Sequence, residues 1–201
     1  MAGGSVHNVQ QAAAGFNFTD RMRQLCRDVS VRLLEMQHID VTRIAFSFAQ
    51  TRKRVRHGMW ASLTPMRFAG GAETGVRNGR RYAAQRLFAD GQEMLYVLTF
   101  YLPRFMELSF NDKLVTVFHE LWHISPGFDG DIRRYPGRCY AHTQSEREYD
   151  AAMAILAKKW LAMNPPQSCY AFLHKDFAEL QREFGPVYGN KVRHPQLIPL
   201  E

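Results

Sequence analysis

The stretch SFNDKLVTVFHELWHISPG occupies residues 109–127 and dominates the interpretation of this chain. Ser109, followed three residues later by an acid, is typical of a helix start, because its hydroxyl can accept a hydrogen bond from a backbone N–H of the first turn. Apolar residues then recur at helical spacing up to Pro126 and Gly127, a pair that ends helices. The pattern predicts a helix over residues 110–124.

This helix carries an H-E-x-x-H motif, His119-Glu120-Leu121-Trp122-His123. Residues four apart lie about 40° from each other around a helix, so both imidazoles leave the same face and can bind one ion. Glu120 lies about 100° to the side, where it can accept a proton without binding the ion. With 8 His and 10 Glu in 201 residues, chance would give about 0.02 such motifs. The motif predicts a zinc (Zn²⁺) site with His119 and His123 as ligands.

A zinc ion held by three protein ligands keeps an open position for water and lowers the pKa of that water towards about 7. We therefore expect hydrolysis of a peptide bond by zinc-bound water, with Glu120 as the general base that passes the proton to the departing amine. Leu114, Val117, Phe118 and Leu121 cover the side opposite the histidines, which predicts a buried helix with the motif at its middle. The alternative is a pair of hydrogen-bonded core histidines beside a chance glutamate.

A third ligand is expected downstream of the helix. His142 is the first choice, because it lies 19 residues beyond His123 and just before the next helix. Glu146 is the alternative, since Glu146 and Asp150 form an E-x-x-x-D pair, and in gluzincin peptidases such a pair supplies a carboxylate ligand and its partner. The member of the pair that does not bind zinc could accept the outer N–H of a ligating histidine and select its tautomer.

Other residues near the expected cleft have two interpretations each. Asp129 and Asp131 are further candidates for the third ligand, or else they form ion pairs with Arg133 and Arg134 that lock the loop. Four side chains are candidates for a donor to the tetrahedral oxyanion, or else they pack at the rim. These four are Tyr135, Arg138, Tyr140 and Tyr149.

The remaining segments alternate between helical and strand patterns. A first helix is expected from Thr19 or Asp20 to Gln37, a third helix over residues 145–163 and a shorter fourth over residues 175–184. Strand-rich runs cover residues 44–48, 58–68 and 94–102. Apolar residues alternate through the last run, which predicts either an edge strand that pairs with an extended substrate or an interior strand buried on both faces.

The chain also resembles a known family. The motif at 119–123, the segment ISPGFDGD at 124–131 and the segment RCYAH at 138–142 are similar to phage-type metallopeptidases related to the SprT-like and Spartan-type zincins. The resemblance covers residues 19–163 and implies that His142 completes the zinc site. The chain departs from the common SprT pattern, because Thr143 replaces the usual glycine and the loop before it is longer and carries acids.

What the resemblance implies is an α+β, zincin-like minimal metallopeptidase domain: a helix, a small twisted sheet, the H-E-x-x-H helix, a returning loop and a third helix. On this basis we expect a flexible N-terminal lead-in at residues 1–16, the zincin-like catalytic domain at 17–165, and a C-terminal extension with a short helix and a Pro-rich tail at 166–201. For Spartan-type members the resemblance also implies proteolysis near DNA.

The formal net charge of +7 is concentrated in one region. The window that begins at Arg43 and ends at Arg104 holds 11 Lys and Arg against 3 acids, whereas the remainder balances at 15 against 16. Such a surface can bind nucleic acid or acidic protein, and a solvated charged loop is the other interpretation. The tightest clusters are Arg52, Lys53, Arg54 and Arg56, followed by Arg77, Arg80 and Arg81.

Two alternative functions follow from these features. One is a nucleic-acid-associated protein in which zinc is structural and the basic window contacts DNA or a DNA-bound protein. The other is a zinc amidase that hydrolyses a non-protein substrate such as cell-wall peptide. The metallopeptidase hypothesis instead makes a polypeptide the substrate.

The composition bears on whether the protein is expected in a membrane, outside the cell or in the cytoplasm. No stretch approaches the roughly 20 uninterrupted apolar residues of a membrane helix, and the N-terminus lacks both the basic start and the apolar core of a signal peptide. We therefore expect a cytoplasmic protein that does not associate with membranes. Three cysteines, Cys26, Cys139 and Cys169, form no C-x-x-C pair, so we expect them to be reduced and structural.

Overall fold

A computed structural model describes residues 15–50, 58–134 and 146–200 of the chain. The helices are α1 (Phe18–Arg32), α2 (Phe110–Trp122), α3 (Glu146–Ala162), α4 (Gln167–Tyr170) and α5 (Phe177–Phe184). The strands are β1 (Phe16–Asn17), β2 (Ile44–Gln50), β3 (Ala61–Pro65), β4 (Thr74–Arg77), β5 (Arg80–Ala84), β6 (Leu87–Ala89), β7 (Gln92–Met94), β8 (Tyr96–Leu102), β9 (Val187–Tyr188) and β10 (Leu197–Pro199). The fold is therefore α+β, as expected.

The three strand-rich runs assemble into one sheet in the order β2-β8-β3. Strand β8 runs parallel to β2 and antiparallel to β3. Most of its side chains are buried, because α1 and α2 cover the sheet and strands flank it on both sides. The interior interpretation of residues 94–102 is therefore correct and the edge interpretation is wrong. Among the described strands, β2 and β3 are the two edges of this sheet.

Helix α1 packs its apolar stripe against the sheet, and Phe18 meets Phe100 of β8 edge-on at 5.7 Å between ring centroids. The helix begins before Thr19, because the side chain of Asn17 accepts a hydrogen bond from the backbone N–H of Asp20. It ends at Arg32, short of the expected Gln37, since the next residue turns into an extended conformation and is fully buried. A 3-10 turn at Leu34–Met36 follows.

Two hairpins lie between β3 and β8 that the sequence analysis did not identify. Strands β4 and β5 pair antiparallel around Asn78 and Gly79, and β6 and β7 pair around Asp90 and Gly91. All four turn residues have positive φ, between 51° and 77°. Asn-Gly and Asp-Gly are the favoured two-residue hairpin turns, so the turn chemistry was a usable indication. The strands themselves are short and mostly exposed, and they lack the apolar alternation that marks a strand.

The C-terminal segment joins the rest of the fold through backbone pairing. Strand β9 pairs parallel with β1, and β10 pairs antiparallel with β5. Between them, the N–H of Phe48 in β2 donates to the carbonyl of Asn190, and the N–H of Val192 donates to Ser47 Oγ. The tail thus covers the outer edge of β2. Along the part of the chain that the structure describes, no helix combines the length and the apolar content needed to cross a bilayer.

Candidate functional site

Helix α2 carries the H-E-x-x-H motif at its C-terminal end. Ser109 caps the helix as expected, since its Oγ accepts a hydrogen bond from the N–H of Asp112. His119 lies in the last turn and His123 is the C-cap residue. The expectation that the motif lies in the middle of the helix is therefore wrong. The side opposite the histidines is almost fully buried, as expected, at Leu114, Val117, Phe118 and Leu121.

The helix end is held by Arg133, which the sequence analysis did not place at the site. The N–H of Arg133 donates to the carbonyl of His123 at 2.7 Å, and its Nε donates to the carbonyl of Trp122 at 2.8 Å. Its guanidinium lies 4.0 Å from the centroid of the Trp122 ring. A cation at a helix C-terminus satisfies free carbonyls and opposes the negative end of the dipole. The second histidine therefore sits on a helix end that is prevented from fraying.

Asp131 locks the loop that follows α2. Its carboxylate accepts hydrogen bonds from Arg134, at 2.7 and 2.8 Å, and from the N–H groups of Gly70 and Ile132. Burial raises the pKa of this carboxyl, but the hydrogen bonds outweigh burial and hold the pKa below its usual value. The loop-locking interpretation is confirmed for Asp131. Its neighbour Asp129 accepts a hydrogen bond from the Asp131 N–H.

Helix α3 brings two further side chains to the histidines. The ring centroids of His119 and His123 are 4.7 Å apart. Asp150 Oδ1 lies 3.1 Å from Nδ1 of His119. The Tyr149 ring lies edge-on to His119 at 4.7 Å and is stacked on His123 at 5.8 Å. Further along α3, the residues on the same face are buried: Met153, Ala157 and Trp160.

Several predicted site residues lie outside the described part of the chain. They are His142 as third ligand, Tyr135, Arg138 and Tyr140 near the cleft, and Arg52, Lys53, Arg54 and Arg56 in the basic window. Glu146 opens α3, but its side chain lies outside the described residues. Within the described ranges, no group of three or more His, Cys, Asp or Glu is arranged to hold a metal ion.

The described donors nevertheless suit zinc. The two imidazoles, one turn apart, have ring centroids 4.7 Å apart and nearly perpendicular planes, close enough for one nitrogen of each ring to reach a shared ion. Because Nδ1 of His119 faces the Asp150 carboxylate, its Nε2 is directed elsewhere and can act as a ligand. A third donor would come from the part of the chain outside the described residues, where His142 lies. The structure therefore contributes two donors and one outer partner to the candidate metal centre.

Glu120 lies beside this centre and is 8% exposed. Burial raises its pKa to about 7, while a hydrogen bond with the backbone of Leu63 in β3 acts in the opposite direction. The Glu120 side chain thus links α2 to strand β3. A carboxyl group that titrates near neutrality is suited to accept and then release a proton at cellular pH.

A groove of about 680 Å³ runs along α2 from Glu120 towards the start of the helix. The α2 side of the groove is formed by residues that recur at helical spacing along one face of the helix. This periodicity could have identified these lining residues from the sequence. Segment 58–61 and Leu108 complete the wall, and no local pattern indicated that they belong to the site. The lining residues are Gly58, Met59, Trp60, Ala61, Leu108, Asp112, Val115, Thr116, His119, Glu120 and Asp150.

Strand β3 presents backbone groups on the side away from β8. The N–H of Tyr101 donates to the carbonyl of Trp60, so this pair is a hydrogen-bonded one. Pairing alternates along an antiparallel ladder, hence the N–H and C=O groups of Ala61 and Leu63 point away from β8. Leu63 uses this side to bond Glu120. No described strand pairs with this edge.

Arg77, Arg80 and Arg81 lie exposed on the β4–β5 hairpin. The basic residues Arg86, Lys191 and Arg193 line a second pocket of about 270 Å³, between the start of β6 and the C-terminal tail. Part of the regional basic surplus therefore lies on the hairpin, and the second pocket combines Arg86, which is paired with Glu93, with two basic residues of the tail.

Comparison of the chain with family models, curated proteins and solved structures gave no match. The resemblance to SprT-like zincins stays a prediction.

Proposed function

We propose that this protein is a zinc-dependent metallopeptidase with a zincin-like domain. The proposal rests on one observation: a close pair of histidines and a buried glutamate lie next to each other. The His119 and His123 rings lie 4.7 Å apart, and the buried carboxylate of Glu120 lies in the adjoining groove. Two metal-binding imidazoles beside a carboxylate that does not bind the ion is the arrangement that metal-assisted hydrolysis requires.

The proposed ligands are His119, His123 and His142, with Glu146 as the alternative third ligand. Bound zinc would act as a Lewis acid and lower the pKa of water. Asp150 holds the Nδ1 proton of His119 and so keeps Nε2 available to the ion. Glu120 accepts a proton from the attacking water and passes it to the departing amine. Tyr149, against both imidazoles, limits their movement.

The proposed substrate is a polypeptide in extended conformation. The support is the outer edge of β3, with which no described strand pairs: the backbone groups of Ala61 point away from β8, and Ala61 lines the groove. An extended peptide can bind such an edge by adding a strand, and its main-chain groups then supply affinity. The contact between Leu63 and Glu120 puts the general base next to this edge.

Two substitutions test the proposal. Glu120→Gln should retain one zinc per chain while cleavage of an unfolded polypeptide falls to background, and His119→Ala should lose the metal. Glu73→Gln is the matched control, because Glu73 has a side chain 68% exposed and lies outside the groove lining. Metal content is measured by elemental analysis after dialysis, and cleavage by mass spectrometry. Activity of Glu120→Gln equal to that of the unmodified protein would contradict the assignment.

Nucleic-acid binding is the second candidate function, and the grouped basic residues of the hairpin and the tail favour it. Arg80→Glu combined with Arg81→Glu should weaken binding to a short DNA duplex, and binding should fall steeply as salt rises. Arg182→Glu on α5 is the control for each single variant, Arg80→Glu and Arg81→Glu, since it makes the same charge change at one residue of another element. DNA affinity that changes neither with salt concentration nor with charge reversal would contradict this second function.

A further inference from the structure

The groove beside Glu120 is lined by three carboxyl side chains. Its carboxylates are Asp112, Glu120 and Asp150, whereas the lining contains no Lys or Arg among the described residues. The whole chain carries a net charge of +7, so this composition is the reverse of the average surface. A local excess of one charge in a cleft attracts ligands of the opposite charge.

Two of the three carboxylates already have partners within the site. Glu120 is buried and bonds the backbone of Leu63, and Asp150 faces the Nδ1 atom of His119. Asp112 differs, because it is exposed and lies in the first turn of α2. One of its oxygens accepts a hydrogen bond from the Ser109 hydroxyl at 2.6 Å. A carboxylate has about four lone-pair sites, so it can accept further hydrogen bonds from a ligand.

Helix geometry places Asp112 at the far end of the groove from the general base. Eight residues separate Asp112 from Glu120, which corresponds to about 12 Å along the helix axis. Val115 and Thr116 occupy the same face between them. A single lysine or arginine side chain is shorter than this distance. The substrate residue that reaches Asp112 must therefore lie away from the cleaved bond along the groove, and its side chain must still be long.

The wall opposite α2 is apolar and exposed. Met59 is 60% and Trp60 is 42% exposed, although both are large hydrophobic residues. The Arg104 guanidinium lies against Gly58 at this wall, and its Nη1 donates to the carbonyl of Met59 at 2.9 Å. Leu108 continues the wall towards the start of α2. The groove thus combines a long apolar passage with a carboxylate at its end.

We propose that this groove binds a lysine or arginine side chain of the peptide substrate, at one position that flanks the bond that is cleaved. The aliphatic stem lies between Trp60 and Val115, and the cationic head meets Asp112. Lys and Arg side chains bind in this way elsewhere, with the stem along apolar surface and the charge at a polar group. The assignment rests on the proposed peptidase function and adds the substrate class. A purely apolar side chain would leave Asp112 unused, and an acidic one would be repelled.

The test uses the full-length, zinc-loaded protein and one unstructured peptide. Each position from three before to three after the cleaved bond is replaced in turn by Lys, Arg, norleucine or Glu, and kcat/KM is measured by mass spectrometry. At one flanking position, we expect Lys and Arg to exceed norleucine about fivefold, the upper range for an exposed ion pair. Glu should be the poorest of the four. Equal values of kcat/KM for the four peptides at every position, or a preference for norleucine, would overturn the inference. This result needs only the unmodified protein.

Two variants at the same position link the preference to Asp112. Asp112→Asn should reduce the ratio of Lys to norleucine to about one, and Asp112→Lys should favour Glu over Lys. The matched control is Asp90→Asn, which removes the same charge from an exposed turn where the positive φ suits asparagine. A role of Asp112 confined to helix stability would leave the preference between peptides unchanged. A ratio unaltered by Asp112→Asn would thus overturn the inference.

A binding measurement separates this inference from the peptidase proposal. Glu120→Gln is titrated with the Lys and norleucine peptides, and Trp60 in the groove wall supplies a fluorescence change, with Trp60→Phe as the control for the signal. Tighter binding of the Lys peptide without cleavage by the unmodified protein would support the groove assignment while refuting the peptidase. Cleavage with no preference at any position would do the reverse.

Discussion

Replacing Asp150 by asparagine should weaken zinc binding about tenfold. The substitution keeps the size and shape of the side chain but exchanges a charged acceptor for a neutral amide at 3.1 Å from Nδ1 of His119. Removal of such an outer partner of a metal-binding histidine typically lowers metal affinity 10- to 100-fold. The Asp150 side chain is 46% exposed and that of His119 is 17% exposed, so water screens the pair. Screening favours the lower limit, about 1.4 kcal/mol of binding free energy.

The assay is a competition for zinc between the purified protein and a chromogenic chelator of similar affinity. Asp90→Asn serves as the control, because it removes an equal charge from an exposed turn. The free energy of unfolding of the metal-free protein should change by less than about 1 kcal/mol, since an exposed pair contributes little to folding. Affinity and stability therefore respond differently if Asp150 acts by orienting His119.

Two results would refute this reasoning. An unchanged zinc affinity in Asp150→Asn would mean that the contact with His119 does not orient a ligand. A loss far greater than 100-fold, with the metal absent after dialysis, would mean that Asp150 itself binds the ion.

Two further predictions concern the scaffold of the site. Lys113→Met should lower the free energy of unfolding by about 2 kcal/mol in urea, because it leaves the buried carbonyls of Leu173 and Lys175 without their Nζ donor. The exposed Lys158→Met should stay within about 0.5 kcal/mol, and an equal loss in both variants would contradict the prediction. Asp131→Asn should lose about 1–2 kcal/mol at pH 7, measured by urea unfolding. The pKa of Asp131 in the folded protein lies below its usual value of 3.8. Its stabilisation is therefore fully present above the usual value and is lost as pH falls through the folded pKa, so the gap between variant and unmodified protein should narrow over the range from about pH 4 downwards. A gap that is constant over this range would contradict the linkage.

Local patterns were sufficient for the elements that depend on neighbours in sequence. The Ser109 cap, the apolar face of α2 and the four-residue spacing of His119 and His123 follow from helix geometry alone. The strands β2 and β8 were likewise visible, because they fill the core and so need apolar and aromatic residues. Their order was not predictable, since the same apolar run suits an edge or an interior strand.

Contacts between distant segments decided the remaining features. Asp150 lies 31 positions beyond His119 and reaches it because the Trp160 face of α3 packs on α2. The helix ends at its second histidine because Arg133, from the following loop, takes up the last carbonyls.

The acidic groove depends on the same kind of contact, for it exists only where segment 58–61 lies beside α2. Spacing along a helix is a local property that any stretch of sequence specifies. Which helix faces which strand depends on how the whole chain buries its apolar surface, and that balance is not contained in any single segment.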